Sequence, residues 1–382
     1  MLGLWAVVTA AALAVYTYVV YPGLLLLAAR RRAARPTTTL HDWPLITILL
    51  PARNEETVIA ATLENLLRAD YPADRRQIVV LSDASTDRTD TIVSSFVNRG
   101  VELLRMPRRN GKTALENAAI PFVRGEIVVN TDASVHVDPN ALKRLVSCFA
   151  DPSVGVASSH NVSVPLRTKT ANRAEGLYVT YDMWVRGLES RVSGIVGATG
   201  CLYAARLQVQ RQVLPGDLVR DFAAALRARE LGWRTVTVPD AVCFVPRIPS
   251  LRREYWRKVR TITGGIRTLW HKRALLNPLR YTMFSWALFS HKACRWALPF
   301  FALIALALTP YGWPLGAIAG MCATIAWKWP EARRLPRVIA VPAYFTLGNL
   351  AVLHAAWLAL ASAGPATWEP TRRQLPTPTT AS

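Results

Sequence analysis

Glu126-Ile127-Val128-Val129-Asn130-Thr131-Asp132-Ala133-Ser134 decides how the chain is read. A β-branched run that reads as buried on both faces leads directly into a carboxylate and a hydroxyl, the pattern of a central parallel strand ending in a ligand crevice. Ligands of open α/β sheets sit beyond the carboxyl ends of the strands, so Asp132 is placed as a metal or substrate ligand. The plain alternative is an Asp in the turn before a helix starting near Pro139. Two strands upstream end in similar chemistry and favour the ligand.

The first, Leu45 to Leu50, stops at Pro51-Ala52-Arg53-Asn54-Glu55-Glu56 and is followed by a helix whose stripe Ile59, Leu63, Leu66 and Leu67 reads as buried. The next, Gln77 to Leu81, ends in Ser82-Asp83-Ala84-Ser85-Thr86-Asp87-Arg88-Thr89, where Thr86 or Asp87 can cap the following helix. A third strand, Val101 to Arg105, leads to Arg108-Arg109-Asn110-Gly111-Lys112-Thr113 and a helix from about Ala114 to Val123. Such alternation demands a parallel sheet with right-handed crossovers, a Rossmann-like layer of about 100 residues. At its strand ends Asp83 can accept from a base or ribose, Lys112 can neutralise a diphosphate, and Asp132 can hold a divalent cation. Taken singly, each also reads as an ordinary turn or loop residue.

Hydrophobic residues make up 51% of the 382 and charged residues 19%, while 46 Lys and Arg against 25 Asp and Glu give a net charge of +21. Apolar runs with excess cation beside them read as a membrane protein whose loops face anionic lipid, and not as a nucleic-acid binder. Five scattered cysteines suggest neither a disulfide framework nor a zinc site, so the soluble part is expected in a reducing cytoplasm. No charge interrupts Leu2 to Ala29, and Arg30, Arg31, Arg32 and Arg35 follow. Cations after the apolar run, not before it, read as a membrane span with the amino terminus outside. Residues 35–44 read as a linker.

As an ordered set, Pro51 to Glu56, Asp83-Ala84-Ser85-Thr86-Asp87, Gly111-Lys112 and Thr131-Asp132-Ala133-Ser134 resemble the opening half of a family 2 glycosyltransferase of GT-A fold, in its membrane-bound branch with cellulose synthases and poly-N-acetylglucosamine synthases. The resemblance runs from Leu45 to Arg373 and is carried by the set, since no single motif is specific. It implies an α/β domain with a mixed, mainly parallel sheet, a nucleotide-sugar donor, a divalent cation (Mg2+ or Mn2+) and inversion at the anomeric carbon. It also implies that Pro51, Arg53 and Glu55 belong to the donor site, with Asp83 at the nucleobase, Lys112 at the diphosphate and Asp132 at the metal. Ser134 stands where a second Asp often lies, and as a neutral ligand it would leave more waters on the ion.

The second half should hold the acceptor. A strand from Val154 to Val164 and a helix from Thr170 to Leu188 precede Gly197-Ala198-Thr199-Gly200-Cys201-Leu202, where Gly200 and Cys201 are candidates to face the acceptor sugar. Asp217-Leu218-Val219-Arg220-Asp221-Phe222 then opens a helix to about Leu231, resembling the family's acidic pair followed by an aromatic. Inverting transfer needs a carboxylate to take the acceptor proton; Asp221 is the candidate and Asp217 the runner-up. Arg220 replaces the first acid of the pair and is expected to hold Asp221 ionised. After a strand from Thr235 to Val245, Arg257 and Arg260 share a helical face and are candidates for the departing diphosphate, while a basic helix lying on anionic lipid is the other reading. The processive members' Gln-x-x-Arg-Trp ends here in Thr261, which argues against long polymers.

Beyond Asn277, Pro278 to His291 reads as a helix lying in the interface, Trp296 to Thr309 and Leu315 to Trp327 as a hairpin of spans, and Val338 to Ala363 as a further span. Asn349 and His354 inside the last are expected to pack against neighbouring helices. The domain order is therefore a span (1–29), a linker (30–44), a GT-A domain (45–275), an interfacial helix (276–293), spans (294–363) and a tail (364–382). Four crossings would put the carboxyl terminus outside, whereas Thr367 to Arg373 resembles a motif near the cytoplasmic active site; either one apolar segment fails to cross or the resemblance does not extend to the tail. The expectation is a membrane-bound inverting transferase moving sugar, UDP-borne as the resemblance implies, to a lipid-linked or saccharide acceptor. A processive exopolysaccharide synthase and a catalytically silent membrane scaffold are the alternatives.

Overall fold

The computed structural model describes residues 1–31, 40, 42–164, 173–246, 251–310, 312–328 and 337–361. They fall into two compact units, an α/β unit within Arg35–Thr168 and Gly197–Arg247, and a helical unit within Met1–Ala34, Lys169–Val196 and Ile248–Gly364. The helices Arg173–Val192 and Leu251–His271, which the sequence assigns to the 45–275 domain, thus group with the apolar helices. Thr367 to Arg373 and the linker residues Arg32 and Arg35 lie outside the described residues.

In the α/β unit the strands are β1 (Ile46–Ala52), β2 (Arg76–Ser82), β3 (Val101–Arg105), β4 (Ile127–Thr131), β5 (His136–Val137), β6 (Val154–Val164), β7 (Leu202–Arg206) and β8 (Arg234–Pro246). They form one sheet in the order β3-β2-β1-β4-β7-β6-β8-β5. From β3 to β4 all pairs are parallel, while β7 runs antiparallel to both β4 and β6. Every residue of β1 is buried because both faces are covered. Ile46, Ile48 and Leu50 pack with Ile59, Leu63 and Leu66 on one side, and Leu49 packs with Leu115 and Ala119 on the other. That double burial is what an unbroken apolar run requires. Leu67, at the rim of its helix Ile59–Leu67, is only partly buried.

The register of β4 against β7 matters most for function. Asn130 pairs with Tyr203 and Thr131 with Leu202, so the residues just beyond these ends, Asp132 and Cys201, are neighbours. Thr131 Oγ1 donates to Cys201 O at 3.0 Å, and Asp132 N points at the same carbonyl.

Among the described residues of the helical unit three helices are long and apolar enough to cross a membrane, Leu2–Arg30, Pro278–Leu308 and Pro342–Leu360, and Gly312–Ile325 is a shorter apolar one. The second runs through both the expected interfacial helix and the first arm of the expected hairpin, with a kink at Thr282, where φ is 40°. His291, Lys292 and Arg295 interrupt the apolar run in sequence, but two of them find carboxylates on Arg173–Val192. His291 Nδ1 lies 2.6 Å from Glu189 Oε1 and Nε2 3.2 Å from Asp182 Oδ1, and Arg295 Nη1 donates to Asp182 at 2.9 Å. Paired ionic groups facing a helix bundle do not end a helix. Tyr21 adds a hydrogen bond to Glu189 at 2.5 Å. His354 packs as expected, its Nδ1 3.0 Å from the Tyr255 hydroxyl, whereas Asn349 donates to Phe345 O of its own helix.

Candidate active site

The loops after β1 and β2 are knotted together by short polar contacts. Arg53 Nη1 donates to Asp83 O at 2.6 Å, Asn54 Oδ1 accepts from Thr86 N at 2.9 Å, and Glu55 N donates to Thr89 Oγ1 at 2.8 Å. Asp87 accepts from Thr89 N and Glu56 N. Partial burial alone would raise the Asp87 carboxyl, but the hydrogen bonds from Thr89 and Glu56 bring it below the usual range. Asn54 and Ala84 sit at positive φ, 51° and 52°, so both turns hold backbone conformations that L side chains resist. Pro51, paired with Leu81 inside the sheet, is the last residue but one of the strand that leads into this knot.

Asp83 is completely buried. Its two carboxylate oxygens accept from Asn110 N at 2.8 Å and Gly111 N at 3.1 Å. In this way Asp83 fixes the turn at Gly111, whose φ of 85° opens the helix Lys112–Ala119.

Lys112 and Asp132 do come together, Nζ to Oδ1 at 2.6 Å, with side chains 21% and 27% exposed. Burial would lower the Lys112 ammonium, but Asp132 and then Glu116 pull it up, and the net result is a group held firmly cationic. Glu116, one helical turn after Lys112, is a site residue that the sequence reading missed; its i, i+4 spacing from Lys112 was the available signal.

Asp221 opens the helix Arg220–Glu230. Its carboxylate lies against Gly200, where a Cβ would stand 2.5 Å from Oδ2, and its Oδ1 accepts from Phe222 N at 2.7 Å. Gly200 and Cys201 precede β7, and Cys201 O meets Asp132 N, so Asp221 and Asp132 are linked through a single two-residue step. Gly200 therefore makes room for a carboxylate, where the sequence reading expected room for a sugar. Asp217 is exposed and lies in the loop before the helix, not a turn inside it.

Arg220 departs from expectation. Consecutive helical side chains do not face each other, and Arg220 turns inward while Asp221 turns to Gly200. Only 4% exposed, its Nε lies 3.2 Å from Glu116 Oε2. Its Nη1 donates to Gln210 O and Oε1, both at 3.2 Å, and its Nη2 to Asn117 Oδ1. Burial raises the Glu116 carboxyl above the usual range although Lys112 and Arg220 oppose it.

A divalent cation would find the Asp132 carboxylate, with Ser134, only 6% exposed, two residues on. Among the described residues no three His, Cys, Asp or Glu cluster as a self-sufficient metal cage. One carboxylate completed by phosphate oxygens and water is an adequate set for Mg2+, so the residues present fit such an ion. Arg257 and Arg260 belong to the helical unit, on the helix Leu251–His271, where Arg257 forks onto Glu254 at 2.6 and 2.8 Å.

Comparison with known proteins follows the same outline. The sequence model described as Glycosyl transferase family group 2 matches residues 127–356, and that described as Glycosyl transferase family 2 matches 47–205. A beta-monoglucosyldiacylglycerol synthase of Synechocystis sp. is 27% identical over 245 residues, 60% of this chain and 47% of its own. An N-acetylglucosaminyltransferase of Rhizobium meliloti is 24% identical over 250 residues, 59% of this chain and 56% of its own. The chain thus spans about half the length of these relatives. Among solved structures, a mannosyltransferase of Pyrobaculum calidifontis in complex with GDP-Man and Mn2+ superposes with a TM-score of 0.70 at 24% identity, covering 95% of this chain and 99% of that one. At that identity the likeness speaks for the GT-A fold.

Proposed function

This chain belongs to the family 2 glycosyltransferases, and on that premise we propose that it transfers a sugar from a nucleoside-diphosphate donor to a hydroxyl of a lipid-linked or saccharide acceptor at a membrane, with inversion. The observation that carries the reading is the placement of Asp221 against Gly200, one residue before the Cys201 carbonyl that meets Asp132, itself paired with Lys112. A carboxylate beside a cation-bearing phosphate site is what direct displacement requires.

Asp221 takes the proton of the acceptor hydroxyl as that oxygen bonds to the anomeric carbon. The bond from that carbon to the diphosphate oxygen breaks on the opposite face, and the electron pair leaves with the nucleoside diphosphate. Lys112, cationic throughout, offsets the charge that grows on the leaving phosphate. A divalent cation, held by Asp132 with Ser134 nearby, would supply further neutralisation of the diphosphate when bound. Pro51, Arg53 and Glu55 shape the donor loop through the knot around Asp83, and Arg257 and Arg260 are proposed as further cations for the departing diphosphate.

A lipid acceptor is supported by the three apolar helices and by the glycolipid synthase among the relatives. The proposed donor nucleotide is UDP, and the proposed location is the cell membrane with the α/β unit in the cytoplasm. Thr261 in place of the processive members' Trp supports single addition. Incubating the protein in lipid with a panel of UDP-, GDP- and dTDP-sugars tests this reading: one donor should release free nucleotide in an acceptor-dependent way, and none doing so would refute it.

A further inference from the structure

Five contacts tie the Lys112 helix to the segment that presents Asp221. Thr113 Oγ1 donates to Leu218 O at 2.7 Å, Asn117 Nδ2 donates to Leu214 O at 2.7 Å, Leu214 N donates to Asn117 Oδ1 at 3.2 Å, Arg220 Nη2 donates to the same Asn117 Oδ1, and Arg220 Nε faces Glu116 Oε2 at 3.2 Å. Only the last is ionic, and both of its partners are almost completely buried, at 4% and 1%. Neither Glu116 oxygen nor Arg220 Nε makes an aligned hydrogen bond, so the pair is held by charge and by the contacts around it. The catalytic scheme above uses neither residue.

We propose that Glu116 and Arg220 form a buried clamp that sets where Asp221 stands relative to Lys112, both acting as positioning residues; this rests on the transferase reading given above. Three features of the pair carry the inference. Glu116 projects from the same helix as Lys112, one turn on, and Arg220 immediately precedes Asp221 at the start of its own helix. A displacement of the guanidinium therefore rotates the first turn that aims the Asp221 carboxylate. The carboxylate stands in space that only the missing Cβ of Gly200 leaves open, since a Cβ there would come within 2.5 Å of Oδ2. Arg220, which in sequence stands where an acid of the family's pair is expected, is in space the counter-charge of an acid supplied by another helix.

Removing one member of a buried pair strands the other charge, whereas removing both can be nearly neutral. The test is a cycle in the full-length protein, in lipid or mild detergent: Glu116→Gln, Arg220→Gln, the double variant, and Arg220→Lys. Each is measured for thermal midpoint, UDP affinity and turnover at a temperature well below its midpoint. The clamp predicts that each single variant loses several degrees (about 2–8 °C per kcal/mol) and that the double variant regains most of it. Arg220→Gln should lose turnover by about 100-fold, the effect of a misplacement near 1 Å, while UDP affinity stays within about twofold and Arg220→Lys recovers part of the rate.

Additive midpoints would overturn the pair. Coupled midpoints with unchanged turnover in Arg220→Gln would leave only a structural contact and overturn the positioning role. A wild-type protein inert toward every nucleotide sugar would overturn the transferase reading and the positioning role with it, while the unfolding cycle would still decide the clamp.

Discussion

Gly200 and Asp221 touch so closely that any side chain at position 200 would enter the space of the Asp221 carboxylate, 2.5 Å from Oδ2 to an ideal Cβ. The atom in the way is the far end of a side chain, which can swing aside without disturbing the helix. Gly200→Ala should therefore fold with a thermal midpoint near that of the parent yet lose turnover by about 100-fold through misaimed chemistry. A fully active Gly200→Ala protein would mean that the placement of this carboxylate does not matter.

Asp221→Asn keeps the shape and removes the proton acceptor. Turnover should fall by about 10²- to 10⁴-fold, the usual worth of a general base, with nucleotide affinity preserved. Steady-state kinetics together with a binding titration of UDP separates the two quantities.

Lys112→Met should weaken nucleoside-diphosphate binding and leave Asp132 without its partner at 2.6 Å. Binding should become markedly less sensitive to the phosphate count of the ligand, which a comparison of UMP with UDP reads directly. In the same assay, chelating divalent cations should stop turnover; undiminished turnover would remove the role given to Asp132.

Ala84 stands at φ 52°, a conformation that costs an L residue about 1–2 kcal/mol. Glycine adopts it freely, so Ala84→Gly should raise the midpoint of unfolding if that relief exceeds the extra freedom gained by the unfolded chain. The knot from Arg53, Asn54 and Ser85 holds the turn in either case, so donor affinity should change little.

Asp151, far along the same unit, gives a pH signature. Burial would raise its carboxyl, but hydrogen bonds from Ser153 and Arg234 lower it to about 2 from an ordinary 3.8. Because the folded value lies below the unfolded one, its contribution is fully present above pH 4 and lost as pH falls toward 2. Stability of the Asp151→Asn variant, compared with the parent across that window, should show a shallower acid decline.

Much of the α/β unit was legible because its signals are local. β1, β2 and β4 announce themselves as doubly buried runs, and the polar groups at their ends mark one edge of the sheet. What escaped sequence reading depends on partners remote along the chain. The helix Pro278–Leu308 looked broken at His291 and Arg295 because Asp182 and Glu189 lie about a hundred residues earlier. That Asp83 accepts from Asn110 and Gly111 was hidden because those contacts are a matter of tertiary folding. Arg220 looked like a neighbour of Asp221 because sequence adjacency hides which way a helical side chain projects, and Glu116 was passed over because nothing nearby in sequence demands an acid there.

The most direct test of sugar transfer through Asp221 is chromatography of lipid extracts after the membrane-reconstituted protein is incubated with labelled nucleotide sugars and a mixture of membrane lipids as acceptors, wild type beside Asp221→Asn. The account predicts one labelled glycolipid from the wild type and none from the variant, with both proteins binding the nucleotide. Equal product from the two proteins would contradict it.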